Sequence, residues 1–276
     1  MTSDQTIKRT LRRFLVLAGL TLLLAACTAQ EGTRTLEPIS LPLAADTTVV
    51  VEIDSGRLLI TQGEAGQLEL ASEQPVPERT EVTTASGADG LHLRIQGQGD
   101  APLTLRLPAG TNLRVATYDA QVDLLDLNAT LRVDSTAGDI LAENVSGSFI
   151  LISNRGDITV RSGTGDIRVL GNYGLLSLQE VAGLVRTSTI MGTIQYTGRV
   201  AAGDRVQLET DHGPVVIRLA LDSDATVQVT TTSGVAYCVV PGLVPAGAGC
   251  TGQLGNGSGL LEVRTVSGSV DLQRIP

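Results

Sequence analysis

Lysine appears once in 276 residues, as Lys8, and tryptophan never. Two phenylalanines and four tyrosines are the whole aromatic complement, and the only histidines are His92 and His212. Each scarcity excludes something. Nucleic-acid binding relies on clustered cations to neutralise phosphates, and here 29 carboxylates outnumber 20 cations for a formal charge of −9. The same balance argues against docking on anionic lipid by charge. Two histidines far apart in sequence offer no metal-ligand spacing. Few aromatic platforms are available for stacking sugars. The apolar run Phe14–Ala26 has 13 residues, short of the roughly 20 that a membrane-spanning helix needs.

That run follows Lys8, Arg9, Arg12 and Arg13 and ends Leu24-Ala25-Ala26-Cys27. A basic segment, a short apolar core and small residues before a cysteine read as a lipoprotein signal peptide over 1–26. Cys27 is then the lipidated residue, and 27–46 is the lipidated cysteine with a flexible, polar tether. Processing would leave 16 arginines against 28 carboxylates, a charge of −12, and no lysine. Of three cysteines, Cys238 and Cys250 remain, and an even remainder in an exported chain predicts a disulfide.

From 47 to 276 the chain repeats. "LRVDSTAGD" (131–139) is followed by "ILAENVSGS", "FILISNRGD", "ITVRSGTGD", "IRVLGNYGL", "LSLQEVAGL" and "VRTSTIMGT". Each nine-residue unit is usually apolar at its first and third places with glycine at its eighth. Alternate units are more alike, so the period is 18: Gly138, Gly156, Gly174 and Gly192. Gly213, Gly234 and Gly268 continue the series at wider spacing. Short alternating runs closed by glycine predict strands and turns, with glycine expected where φ is positive. Columns such as Leu113, Leu131, Phe149, Ile167, Val185 and Val206 predict a shared core that no single unit could bury. The expected fold is all-β: a parallel right-handed β-solenoid of about 18-residue coils, with an antiparallel meander as the alternative.

The segment "LTLRLPAGTNLRV" (103–115) and the turns "TAGDI", "NRGDI", "HGPVV", "TSGVA" and "VSGSV" resemble the bacterial putative-adhesin β-strand-repeat family, domain of unknown function 4097. The resemblance covers roughly residues 47–276. It implies a right-handed β-helix-like fold and an adhesin-like role, a label given by analogy. The chain departs from the pattern in its Cys238–Cys250 insertion and in losing Gly-Asp from later coils.

The triplet Arg155-Gly156-Asp157 looks like a cell-adhesion signal. Yet Gly156 is the repeat glycine, Asp follows that glycine at Asp139, Asp157 and Asp166, and the preceding residue varies. The triplet is therefore read as a product of the repeat. In the 18-residue column the place after glycine becomes Leu175, Thr193 and Pro214, which does not suit a calcium ladder. Thr117, Ser135, Ser153, Gly171, Thr189, Thr210, Thr231 and Thr265 form a small-residue column, read as structural. Arg114, Arg132, Arg168 and Arg186 occupy outward places, read as stems covering a sheet face with their heads paired to Asp134 and its neighbours. Ile150, Ile152 and Leu170 fall on outward places where other coils carry Arg132, Asp134, Arg186 and Ser188. A contiguous apolar cluster on a surface marks an interface, unless the tether or the insertion folds over it.

The sequence thus predicts a lipid-anchored, extracytoplasmic β-solenoid with no catalytic residues, metal or cofactor. It would serve as a non-catalytic, adhesin-like scaffold or interaction surface. Its partners would be the membrane through the lipid anchor and an envelope protein or glycan, with no nucleic acid. The alternative is a carbohydrate-active β-helix enzyme, which would show a concave carboxylate cluster on one sheet face; an envelope-stress sensor is a third reading. Several acyl chains anchor stably where one does so marginally. Cys27→Ala should therefore shift the protein from the membrane to the soluble fraction, or leave it unprocessed, in fractionated cells.

Overall fold

The computed structural model describes residues 32–44 and 46–275; Cys27 and the signal segment lie outside them. The unit that begins at Arg34 is all-β, without a helix among the described residues. Nearly all its strands build one large, mostly parallel sheet that is nearly closed into a barrel-like shape.

Each 18-residue repeat contributes one strand to each of two parallel ladders. In the first ladder, strand Asn128–Ser135 pairs with Ser146–Ser153, which pairs with Thr164–Gly171 and then Ala182–Thr189. In the second, Ile140–Glu143 pairs with Ile158–Arg161, then Leu175–Gln179, then Thr193–Gly198. The register is 18 residues throughout, as Leu131↔Phe149 and Ile140↔Ile158 show. The alternation predicted from sequence sets what is buried: Leu131, Val133, Phe149, Leu151, Ile167 and Val169 point inward, as do Ile140, Ala142, Ile158 and Val160. Tyr196, also fully buried, donates its hydroxyl to the Arg199 carbonyl at 3.0 Å. Burial pushes its phenol pKa well up, and the Asp204 and Glu180 charges add to the shift. Strands Thr48–Gln62 and Asn112–Leu125 run through both ladders and pair along nearly their whole length, which joins the ladders into one sheet.

Most turns leaving the first ladder are closed in the same way. The hydroxyl of the last inward residue closes its own turn: Ser153 Oγ accepts the Gly156 N–H at 2.9 Å, Thr189 Oγ1 that of Gly192 at 3.0 Å, and Thr265 Oγ1 that of Gly268 at 2.8 Å. Most of the small-residue column thus closes its own turns; Ser135 instead donates to the Gly138 carbonyl at 2.8 Å, and the buried Thr210 hydroxyl has no partner among the described residues. The glycines in these turns depart from expectation. Gly138, Gly156, Gly192, Gly213, Gly234 and Gly268 are outside the positive-φ region. They are glycine because of close approach: a Cβ on Gly156 would lie 2.3 Å from the Gly138 carbonyl oxygen. Gly174 is the exception, at φ 95°, and its strand ends in Gly171, which has no hydroxyl to close the turn. Positive φ is concentrated at the opposite corner, in Asp126, Asn144, Ser162 and Glu180 and in Gly147, Gly165 and Gly183.

The repeats do not stack in chain order at either end. Segment 48–62 is paired with 91–107 on one side and 112–125 on the other. The last strands, Gly259–Thr265 and Val270–Ile275, lie between 205–220 and 225–239. The linear order Gly213, Gly234, Gly268 expected from spacing is therefore corrected to Gly213, Gly268, Gly234. Antiparallel strands, the arrangement held as the alternative, cover three ladder ends. Glu81–Gly87 lies on Gly90–Gln96, Gln67–Ala71 on Pro102–Leu107, and Gly249–Leu254 on Ala225–Thr231. Ile39–Pro42, expected in the flexible tether, adds to Gln67–Ala71, with Leu36 and Leu43 buried beside it. Ordered fold thus begins before residue 47.

Thr187 sits inward between Val169 and Leu208, and its buried hydroxyl has no hydrogen-bond partner among the described residues. Removing an unsatisfied buried hydroxyl at constant shape is stabilising. Thr187→Val should raise unfolding free energy by about 1 kcal/mol in chemical denaturation. Gly156→Ala should lower it by about 1–3 kcal/mol, the usual effect of an overpacked contact.

Candidate functional site

The outward face of the first ladder carries rows of side chains stacked one repeat apart. One row runs Arg114, Arg132, Ile150, Arg168, Arg186 and Gln207; the next runs Ala116, Asp134, Ile152, Leu170, Ser188 and Glu209. The sequence-derived cluster is therefore brought together: Ile152 and Leu170 are direct cross-strand neighbours, and Ile150 is two residues along from Ile152 on the same face. Leu170 is exposed, and Ile150 and Ile152 are half-buried. Neither alternative cover reaches them among the described residues. Ile39–Pro42 belongs to the second ladder's end, and the insertion pairs with Ala225–Thr231.

Further exposed apolar residues follow the same strands. Tyr173, Ile190 and Met191 are exposed on the adjoining turns. Strand alternation pointed to the three ladder residues; these turn residues were missed because a turn has no period from which to infer direction. Two shallow depressions flank the cluster. One, about 450 Å³, is lined by Ile152, Tyr118 and three carboxylates, Glu52, Asp54 and Asp134. The other, about 440 Å³, includes Leu170, Arg168, Arg186 and Ser188.

Charge on this face is paired locally. Arg132 chelates Asp134 through two hydrogen bonds of 2.6 and 2.7 Å, which hold the Arg132 pKa above its usual value. Arg168 and Arg186 both approach Asp166 at 3.6 Å. Arg264 pairs with Glu209 at 3.4 Å and with Glu262, and Arg94 approaches Glu52 at 3.9 Å. Asp134, Asp166, Glu209, Glu262 and Glu52 each sit against a guanidinium, whereas Asp54 accepts from Gln96 Nε2 at 3.2 Å.

The Arg155-Gly156-Asp157 triplet stands at a corner of the same ladder. Asp157 Oδ1 accepts the Leu175 N–H of the next repeat at 2.7 Å, and its own N–H bonds Asp139 Oδ1 at 2.8 Å. Its carboxylate caps the Gly174 turn, whose strand ends in Gly171 and so has no hydroxyl to close it. The disulfide joins Cys238 to Cys250, with Cα atoms 6.5 Å apart. Cys250 is buried in strand Gly249–Leu254. Such a bridge fits an extracytoplasmic location.

No family model matches the sequence, nor does any curated protein. Among solved structures, a "putative cell adhesion protein" from Clostridium sporogenes is 12% identical, with 87% of this chain and 99% of that chain covered and a TM-score of 0.28. A "putative adhesin" from Bacteroides fragilis is 13% identical, with coverage of 87% and 98% and a TM-score of 0.39. Another from Parabacteroides merdae is 11% identical, with coverage of 88% and 97% and a TM-score of 0.28. Likeness at this level does not define a shared function.

If the triplet is a turn device, Asp157→Glu should leave binding to cultured host cells unchanged. Asp157→Ala should lower unfolding free energy by about 1 kcal/mol, through the lost hydrogen bond. Adhesion abolished by the Glu variant in a folded protein would identify the triplet as a recognition motif.

Proposed function

We propose that the two ladders are faces of a right-handed β-solenoid of the adhesin-like repeat family, anchored outside the cytoplasm through a lipid on Cys27. Its role is non-catalytic: a rigid scaffold that presents the first ladder's outward face to an envelope protein or glycan. The observation that carries this reading is the contiguous apolar cluster of Ile150, Ile152 and Leu170 on an open face, with Tyr173, Ile190 and Met191 exposed on the adjoining turns. Exposed apolar side chains set among paired charges are the anatomy of a binding patch with a polar rim. Pairing of most of the face's carboxylates with arginines favours display over hydrolysis.

A photo-reactive residue at Leu170 of the full chain should cross-link to a partner in native membranes. Ile152→Asp should reduce that capture about tenfold, the scale of losing one well-packed interface side chain, with an unchanged melting temperature. Equal capture by a folded Ile152→Asp variant would remove the face from consideration, and unfolding would show that Ile152 belongs to the core.

A further inference from the structure

Three of the four ladder ends are extended by antiparallel strands, and the fourth is not. Ala236–Val239 is the last strand of the second ladder at its carboxyl-terminal end. It pairs with Val270–Ile275 on one side, and no strand among the described residues pairs with its other side. The outermost strands elsewhere carry features that discourage further pairing: Pro42 in Ile39–Pro42, Pro245 in Leu243–Ala246 and Glu81 in Glu81–Gly87. Proline and charge are the usual means of blunting a sheet edge. Ala236–Val239 has neither, and its apolar side chains are among the most exposed in the protein. Val239 is 73% exposed and Tyr237 58%, with Val235 and Val244 beside them. The Cys238–Cys250 bridge fixes this strand to the adjoining hairpin.

The charge pattern identifies the occupant. Between Asp224 and Glu262 there is no Asp, Glu, Lys, Arg or His, the longest such stretch in a chain of net charge −9. A two-fold contact places each surface against itself, so an acidic protein repels its own copy wherever the contact carries its charge. The uncharged stretch lessens that repulsion at the edge itself, Asp271 lying one strand in beside Tyr237, and combines this with an unpaired edge and apolar cover. We propose that this end is a self-association surface, on which two copies pair antiparallel through their Ala236–Val239 edges, Tyr237 and Val239 meeting the partner's apolar residues. Edge-to-edge strand addition supplies main-chain hydrogen bonds, and the flanking side chains supply apolar burial. The proposal is independent of the partner face on the first ladder.

Sedimentation velocity on the detergent-solubilised full chain at micromolar concentration tests it. The wild type should sediment as a dimer. Tyr237→Glu with Val239→Glu should raise the dimer dissociation constant about tenfold or more, as like charges brought face to face do. Ile152→Asp should leave the dimer intact, which separates this surface from the first ladder's face. A monomeric wild type, or a dimer that survives both glutamates, overturns the proposal. Should the double variant melt early, p-benzoylphenylalanine at Tyr237 of the otherwise unaltered chain decides. Irradiation of native membranes should give a homodimeric adduct that the same probe at Tyr118 does not give, and its absence overturns the proposal.

Discussion

The structure depends on close backbone contact between consecutive repeats at the turns that leave the first ladder. Seven consecutive turns bring the α-carbon of one so near the carbonyl of the next that a methyl group would meet backbone oxygen at 1.8–2.9 Å. This spacing belongs to hydrogen-bonded strands, and the turns must match it because the ladders on either side do. Once corners stack, each residue's neighbour is its counterpart 18 residues away. Apolar places fall over apolar places and build a core continuous along the stack. Polar places likewise fall over one another, so arginines reach the carboxylates of adjoining strands.

This constraint explains which parts could be read from sequence. The core columns from Leu113 to Val206 and from Val122 to Val215 were legible because spacing alone assigns their register. The order of the terminal repeats was not. Whether 225–239 or 259–275 follows 205–220 depends on where a long excursion returns, and both candidates carry the same alternation. The turn glycines were found for an incomplete reason: sequence shows that a Cβ is excluded, but not whether dihedral angle or neighbour excludes it. Ile39–Pro42 was concealed by its proline and polar surroundings. It pairs at an outer edge, where proline is tolerated.

The candidate site shows the same division. Ile150, Ile152 and Leu170 were legible as outward because strand alternation fixes direction. Tyr173, Ile190 and Met191 are exposed on turns, where direction follows the path of the corner. The guanidinium–carboxylate pairs combine two sources. Arg132 and Asp134 are two residues apart on one strand, whereas Arg186 reaches Asp166 from the next repeat. The bare edge at Ala236–Val239 had no local sequence signal, since an edge is defined by the partner it lacks.

Burying the first and last repeats one layer inside the stack has a mechanical consequence. A load applied to the chain upstream of residue 48 can strip the outer Ile39–Pro42 strand, but it then meets a segment hydrogen-bonded along both sides. The same holds for a load at the carboxyl end, where Val270–Ile275 lies between two strands. Drawing out either segment breaks two rows of backbone bonds together rather than unzipping one edge.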